Sequence, residues 1–94
     1  MSQKSRKTDE QIKKDVIAYI DSYANLDADD IKDEHILKKA PLNLDDTMLG
    51  FLALSLRAYV KSLNGKETVL VTELRKKDLS VKQTYELVIE KVKA

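Results

Sequence analysis

The stretch Leu44-Asp45-Asp46-Thr47, running on through Met48 to Val60, decides the fold: a polar helix-start signal precedes thirteen positions of which ten are apolar. Short acidic side chains at a helix start accept hydrogen bonds from first-turn amides and meet the positive end of the helix dipole. Asp45 or Asp46 is therefore expected to cap a helix here. Met48, Leu49, Phe51, Leu52, Leu54, Leu56, Tyr59 and Val60 then cover more than half its circumference. A helix of that kind is central in a bundle or partly in an interface. Asn64-Gly65 ends it, glycine being the usual residue after a helix C-terminus.

Upstream, Thr8-Asp9-Glu10-Gln11 has the spacing of a capping box. Ile12, Val16, Ile17, Ile20 and Tyr23 follow at three- and four-residue steps, so a first helix starts there and turns Lys13, Lys14, Asp15 and Asp21 to water. Residues 1–7 precede this pattern and read as a disordered tail, with 8–94 a single helical domain. Asn25 and the Asp27-Ala28-Asp29-Asp30 cluster end the helix. From Asp29 to Leu44 runs a long acidic connection anchored by Ile31, Ile36, Leu37, Leu42 and Leu44. Long structureless loops are uncommon in compact domains, so a helical turn is expected near Asp33 to Lys38. Pro41 should force an extended approach at Ala40.

Downstream, Glu67 to Thr72 is β-branched enough for a strand but has no evident partner strand, and it reads as a loop entering a short helix around Thr72 to Lys77. Ser80-Val81-Lys82-Gln83 is a second capping box, and Val81, Tyr85, Val88 and Val92 form one apolar stripe behind it. The expected fold is all-α: a small three- to four-helix bundle with a long loop between its first two helices.

Composition agrees and excludes several classes. Ninety-four residues with 43% apolar content can close one core, burying about 60–65% of the unfolded chain's surface. Two glycines and one proline leave little material for hairpins. No cysteine is present and there is one histidine, which excludes disulfides and thiolate metal sites and makes a structural metal unexpected. The longest apolar run is far short of the ~20 residues that span a bilayer, so no membrane association and a cytoplasmic location are expected.

The net charge is +1 but unevenly laid out. Residues 27–46 hold three basic and seven acidic side chains, residues 47–94 nine basic and five acidic. A near-neutral total offers no general nucleic-acid footprint, although the asymmetry permits self-association or a charged partner.

Leu42-Asn43-Leu44-Asp45-Asp46-Thr47, the core positions Leu52, Leu56 and Val60, and Leu79-Ser80-Val81 with Tyr85 and Val88 together carry a resemblance. From roughly Gln11 to Val92 the chain resembles an acyl carrier protein. In that family a long acidic loop joins the first two helices, and an Asp-Ser-Leu motif opens the second, its serine carrying a 4′-phosphopantetheine arm. The resemblance implies a carrier-like bundle whose motif-equivalent positions are Asp45, Asp46 and Thr47. Aligning Asp45 with the motif's aspartate puts Asp46 in the serine's place, and a carboxylate cannot be pantetheinylated; shifting by one residue puts Thr47 there but misplaces the core leucines, so no 4′-phosphopantetheine cofactor is expected. Carrier helices are acidic at this face, whereas the charges here are Arg57 and Lys61.

Other candidates have plainer readings. Asp45 and Asp46 could pair as an acid and base, but capping accounts for at least one of them. Asp27, Asp29, Asp30, Asp33 and Glu34 lack the twelve-residue calcium pattern with its central glycine and read as a solvated loop. His35 reads as a surface or half-buried loop residue. Arg75-Lys76-Lys77 with Lys66 and Lys82 has no interleaved aromatics and reads as a solvated face. Tyr19, Tyr23, Tyr59 and Tyr85 read as packing residues, and Ser55 as bonding a backbone carbonyl. Met48 and Phe51 exceed what three helices can cover and point to a groove or dimer face.

With no nucleophile-base or metal constellation, an enzyme is not expected. The reading is a non-enzymatic, carrier-like domain, monomeric or weakly dimeric, that engages a protein partner or apolar ligand through Met48, Phe51, Arg57, Lys61 and the preceding acidic loop. The alternative is a small nucleic-acid-associated regulator using the basic C-terminal half.

Overall fold

The computed structural model describes residues 7–64 and 66–93, with elements in the order α1 (Asp9–Ala24), a 3-10 turn (Ala28–Asp30), α2 (Asp46–Leu63), α3 (Val71–Leu74) and α4 (Val81–Lys93). It is an all-α bundle. The expected tail at residues 1–6 and the helix stop at Gly65 fall outside the described residues. Lys7, assigned to the tail, is described, and its Nζ lies 2.7 Å from Asp15 Oδ2.

Each long helix starts where its sequence signal stands. Thr8 Oγ1 accepts from the Gln11 amide at 3.2 Å while Gln11 Oε1 accepts from the Thr8 amide at 2.9 Å, closing a reciprocal box on two otherwise unpaired donors. Ser80 and Gln83 repeat the arrangement at 3.1 and 3.0 Å ahead of α4. Asp45 is the N-cap of α2, its Oδ1 accepting from the Met48 amide at 2.8 Å. At the other end of α1, Asn25 takes a left-handed conformation with φ of 62°, which asparagine tolerates, and its amide returns to Asp21 O.

α1 lies against both α2 and α4, and α2 also meets α3 and α4. Ile12, Val16 and Ile20 of α1, Leu49, Leu52, Leu56 and Val60 of α2, and Val81 and Val88 of α4 are wholly buried together. Thr84 is buried too, and its hydroxyl donates to Ser80 O at 2.8 Å. Among the described residues no buried side-chain nitrogen or oxygen lacks a hydrogen-bond partner, as a well-ordered interior requires. No described helix is long and apolar enough to cross a membrane.

The connection between α1 and α2 departs from expectation. Residues 33–38 form no helix: hydrogen-bonded turns close from His35 N–H to Lys32 O and from Lys39 N–H to Ile36 O, each at 3.1 Å, and Ile36 makes an antiparallel bridge to Ser80. Leu37 N–H donates to Leu79 O at 3.0 Å, and Val81 N–H to His35 O at 2.8 Å. Two adjacent apolar residues are too few for a helical face, and pairing with the strand-like lead into α4 satisfies both backbones at once. Nor is the approach at Pro41 extended. The chain turns, with the Ala40–Pro41 peptide cis, Asn43 N–H bonded to Lys39 O at 3.0 Å and Asn43 at φ 48°. Leu44 N–H then reaches Leu37 O at 2.9 Å. Leu37, Leu42 and Leu44 are thereby buried.

α3 is shorter than the helix expected over 72–77. Leu74 is its buried residue, and Arg75, Lys76, Lys77 and Asp78 beyond it are exposed, so no apolar side chain rewards another helical turn.

Candidate functional site

The N-terminus of α2 carries Asp45, Asp46 and Thr47. Asp45 is committed to the cap. Asp46, the first helical residue, has its carboxylate 3.6 Å from Lys38 Nζ, while its carbonyl accepts from Arg75 Nη2 at 2.8 Å. Thr47 is exposed on the next position. Asp45 and Asp46 thus have separate partners.

One side of α2 is left uncovered. Met48 is 39% exposed, Phe51 53%, Leu54 51%, and Leu70, which precedes α3, 47%. Thr47, Phe51, Leu54 and Ala58 recur at four, three and four residues, all exposed, so they form one stripe along the helix. Leu54 and Leu70 were not anticipated. The signal for Leu54 was available, because a helix apolar around most of its surface cannot bury every side in a bundle this small, and Leu54 shares the face of Phe51. Leu70 lay in the ambiguous segment, where only tertiary placement decides exposure.

Arg57 and Lys61 differ. Lys61 is exposed on α2, whereas Arg57 is half-buried and its Nε donates to Val69 O at 3.1 Å, tying the segment before α3 to α2. Arg57 is therefore a structural tether as well as a charge. Gly50 lies beneath the other guanidinium: a Cβ there would stand 3.2 Å from Arg75 Nη2, so the glycine leaves room for that side chain to lie across the helix. Arg75, Arg57 and Lys61 follow the 50, 57, 61 line of α2, beside the apolar stripe. On the opposite flank, the Tyr23 hydroxyl is 2.8 Å from Ser55 Oγ and 3.5 Å from Phe51 O. Ser55 thus pairs with a tyrosine hydroxyl, where a backbone carbonyl was expected.

The remaining candidates take structural places. Tyr59 donates to Asp15 Oδ2 at 2.6 Å and meets Tyr19 edge-on at 5.7 Å. Burial pulls the Asp15 carboxyl up, but hydrogen bonds from Lys7 and Tyr59 outweigh it and hold the group below its ordinary value. Burial, then the bond to Asp15 and its charge, push the Tyr59 phenol well above the usual range. His35 is half-buried in the loop, its Nδ1 accepting from Lys32 N–H at 3.0 Å. Asp27, Asp29 and Asp30 are exposed, while Asp33 Oδ2 accepts from Tyr85 at 2.9 Å.

That Tyr85–Asp33 bond joins α4 to the long loop and has a consequence at alkaline pH. Burial, followed by the hydrogen bond and charge of Asp33, pushes the Tyr85 phenol up to about 12 from 10.0. An acid whose folded pKa is raised contributes stability that is complete below the unfolded value and is lost as pH climbs through the folded one. Stability should therefore decline from about pH 10 toward about pH 12. In Tyr85→Phe that decline is shallower, which denaturant midpoints measured across the interval will show. Equal slopes in both proteins would mean that Tyr85 titrates no differently on folding.

The chain matches no family model, no curated protein and no solved structure.

Proposed function

We propose that this is a non-enzymatic, acyl-carrier-like binding domain without a phosphopantetheine arm, cytoplasmic, that engages a protein partner through the uncovered face of α2. The observation that carries this is the row Met48, Phe51 and Leu54, left 39–53% exposed on a helix whose other side fills the core, with Leu70 ahead of α3 exposed as well. Contiguous apolar surface of this kind marks interaction sites. The carrier-like element of the reading rests on helix order, the long acidic connection into a capped second helix and the residues of the resemblance. Asp46 at the serine's position supports the absence of the arm. The nucleic-acid alternative has less support, since Lys91 and Lys93 of the basic half are paired with Glu73 and Asp9.

The test compares immobilised wild type with Phe51→Asp, after equal folding by circular dichroism, as baits for proteins of the source cell. A specific protein retained by wild type and lost from Phe51→Asp is the expected result. Identical retention by both baits excludes the α2 face. Incubation with a phosphopantetheinyl transferase and coenzyme A should leave the intact mass unchanged. A gain of one arm, lost in Thr47→Ala, would instead restore a carrier role.

A further inference from the structure

We infer that the occupant of the α2 face is an acidic amphipathic helix, recognised by the apolar stripe together with the cationic edge that runs along it. The inference rests on the binding reading above and gives its partner a chemistry. A helix docking in a groove or along another helix offers anchors at three- and four-residue spacing, and its flanks must match the charges beside those anchors. Here Phe51, Leu54 and Ala58 supply the receiving row. Beside it, Arg75 lies over Gly50, Arg57 is tethered to Val69 O, and Lys61 stands free of any described ion pair.

Charge on α2 itself is one-sided. Between Asp46 and Leu63 the ionisable side chains that carry charge at neutral pH are Asp46, Arg57 and Lys61, and Asp46 is balanced by Lys38. The flank opposite the cations is neutral, made of Ser55 and the Tyr23 hydroxyl. Both guanidiniums are held through one nitrogen each by backbone carbonyls, at 3.1 Å for Arg57 and 2.8 Å for Arg75. A guanidinium has five N–H donors, and one anchored in this way loses less freedom when it meets a carboxylate. The edge is thus set in place before any partner arrives.

Other occupants fit less well. The segment Met1 to Arg6 carries Lys4 and Arg6 and no acidic residue, so this end of the chain is no complement to a cationic edge. A second copy docked antiparallel about a two-fold axis brings the cationic edge of one α2 against that of the other, and a parallel pairing aligns the two helix dipoles. Both arrangements place like charges together, which costs binding.

The test uses two synthetic helical peptides with identical leucine anchors at three- and four-residue spacing, one flanked by glutamates and the other by lysines, titrated into the whole protein by amide chemical-shift mapping. The glutamate peptide should bind at least tenfold more tightly at low salt, with shifts at Phe51, Leu54, Lys61 and Leu70. Its advantage should shrink as salt rises. Lys61→Glu, an exposed change that leaves the core untouched, should cut the preference several-fold. Equal binding of the two peptides, or a preference for the lysine one, overturns the acidic partner while the apolar face stands. Failure of both to bind removes the face itself. A concentration-dependent dimer that Phe51→Asp abolishes would assign the face to a second copy and overturn this inference.

Discussion

Leu52→Ala and Leu56→Ala should each lower the free energy of unfolding by about 2–5 kcal/mol, the range for deleting a buried leucine and leaving a partly collapsed cavity. Both side chains have no exposed surface, one helical turn apart on the face of α2 that meets α1 and α4. A small domain is stable by only about 5–15 kcal/mol in all, so either change should move the urea midpoint by a large fraction of its value. Two residues on other sides of the same helix calibrate the result. Leu54→Ala, at 51% exposure, should change stability by no more than about 0.5 kcal/mol. Arg57→Ala removes the bond to Val69 O and should cost about 1 kcal/mol, more than a free surface position would. Wild-type midpoints for both buried variants would mean that α2 is not the centre of the core.

The helices were legible because their signals are local. A capping box needs four residues, and an apolar stripe needs a dozen, so Thr8, Asp45 and Ser80 announced three helix starts without reference to the rest of the chain. The long connection was not legible for the opposite reason. Its Ile36 and Leu37 are held by Leu79, Ser80 and Val81, more than forty residues later, and nothing near them in the sequence says so. Asn43 takes a left-handed conformation there, and the closing bond from Leu44 to Leu37 explains why the turn is in place.

The candidate site divides in the same way. Met48 and Phe51 were identified from local excess of apolar surface, and both are exposed. Arg57 looked like an outward charge because helical spacing places it away from the core. Its actual bond to Val69 O depends on where the segment after α2 returns, which spacing within one helix cannot encode.

The long connection should behave as core. Leu37→Ala is expected to cost about 2–4 kcal/mol, close to the effect in α2, although position 37 belongs to no helix. Its side chain has no exposed surface, its amide donates to Leu79 O, and its carbonyl accepts from Leu44 N–H, so it fastens the loop to both the approach to α4 and the approach to α2. Truncation opens a cavity at the point where those two approaches meet. The second consequence is kinetic and separates this account from a loosely laid loop. Amide hydrogens of Leu37, Leu44 and Val81 should exchange only through large-scale opening, with protection close to that of Leu52 and Leu56. In Leu37→Ala the protection of Leu44 and Val81 should fall before that of α2, because the loop then detaches locally while the helices still pack. Fast exchange of these three amides in the wild type, or a Leu37→Ala cost within about 0.5 kcal/mol of zero, would show that the connection merely covers the bundle and that the cap at Asp45 is positioned by α2 alone.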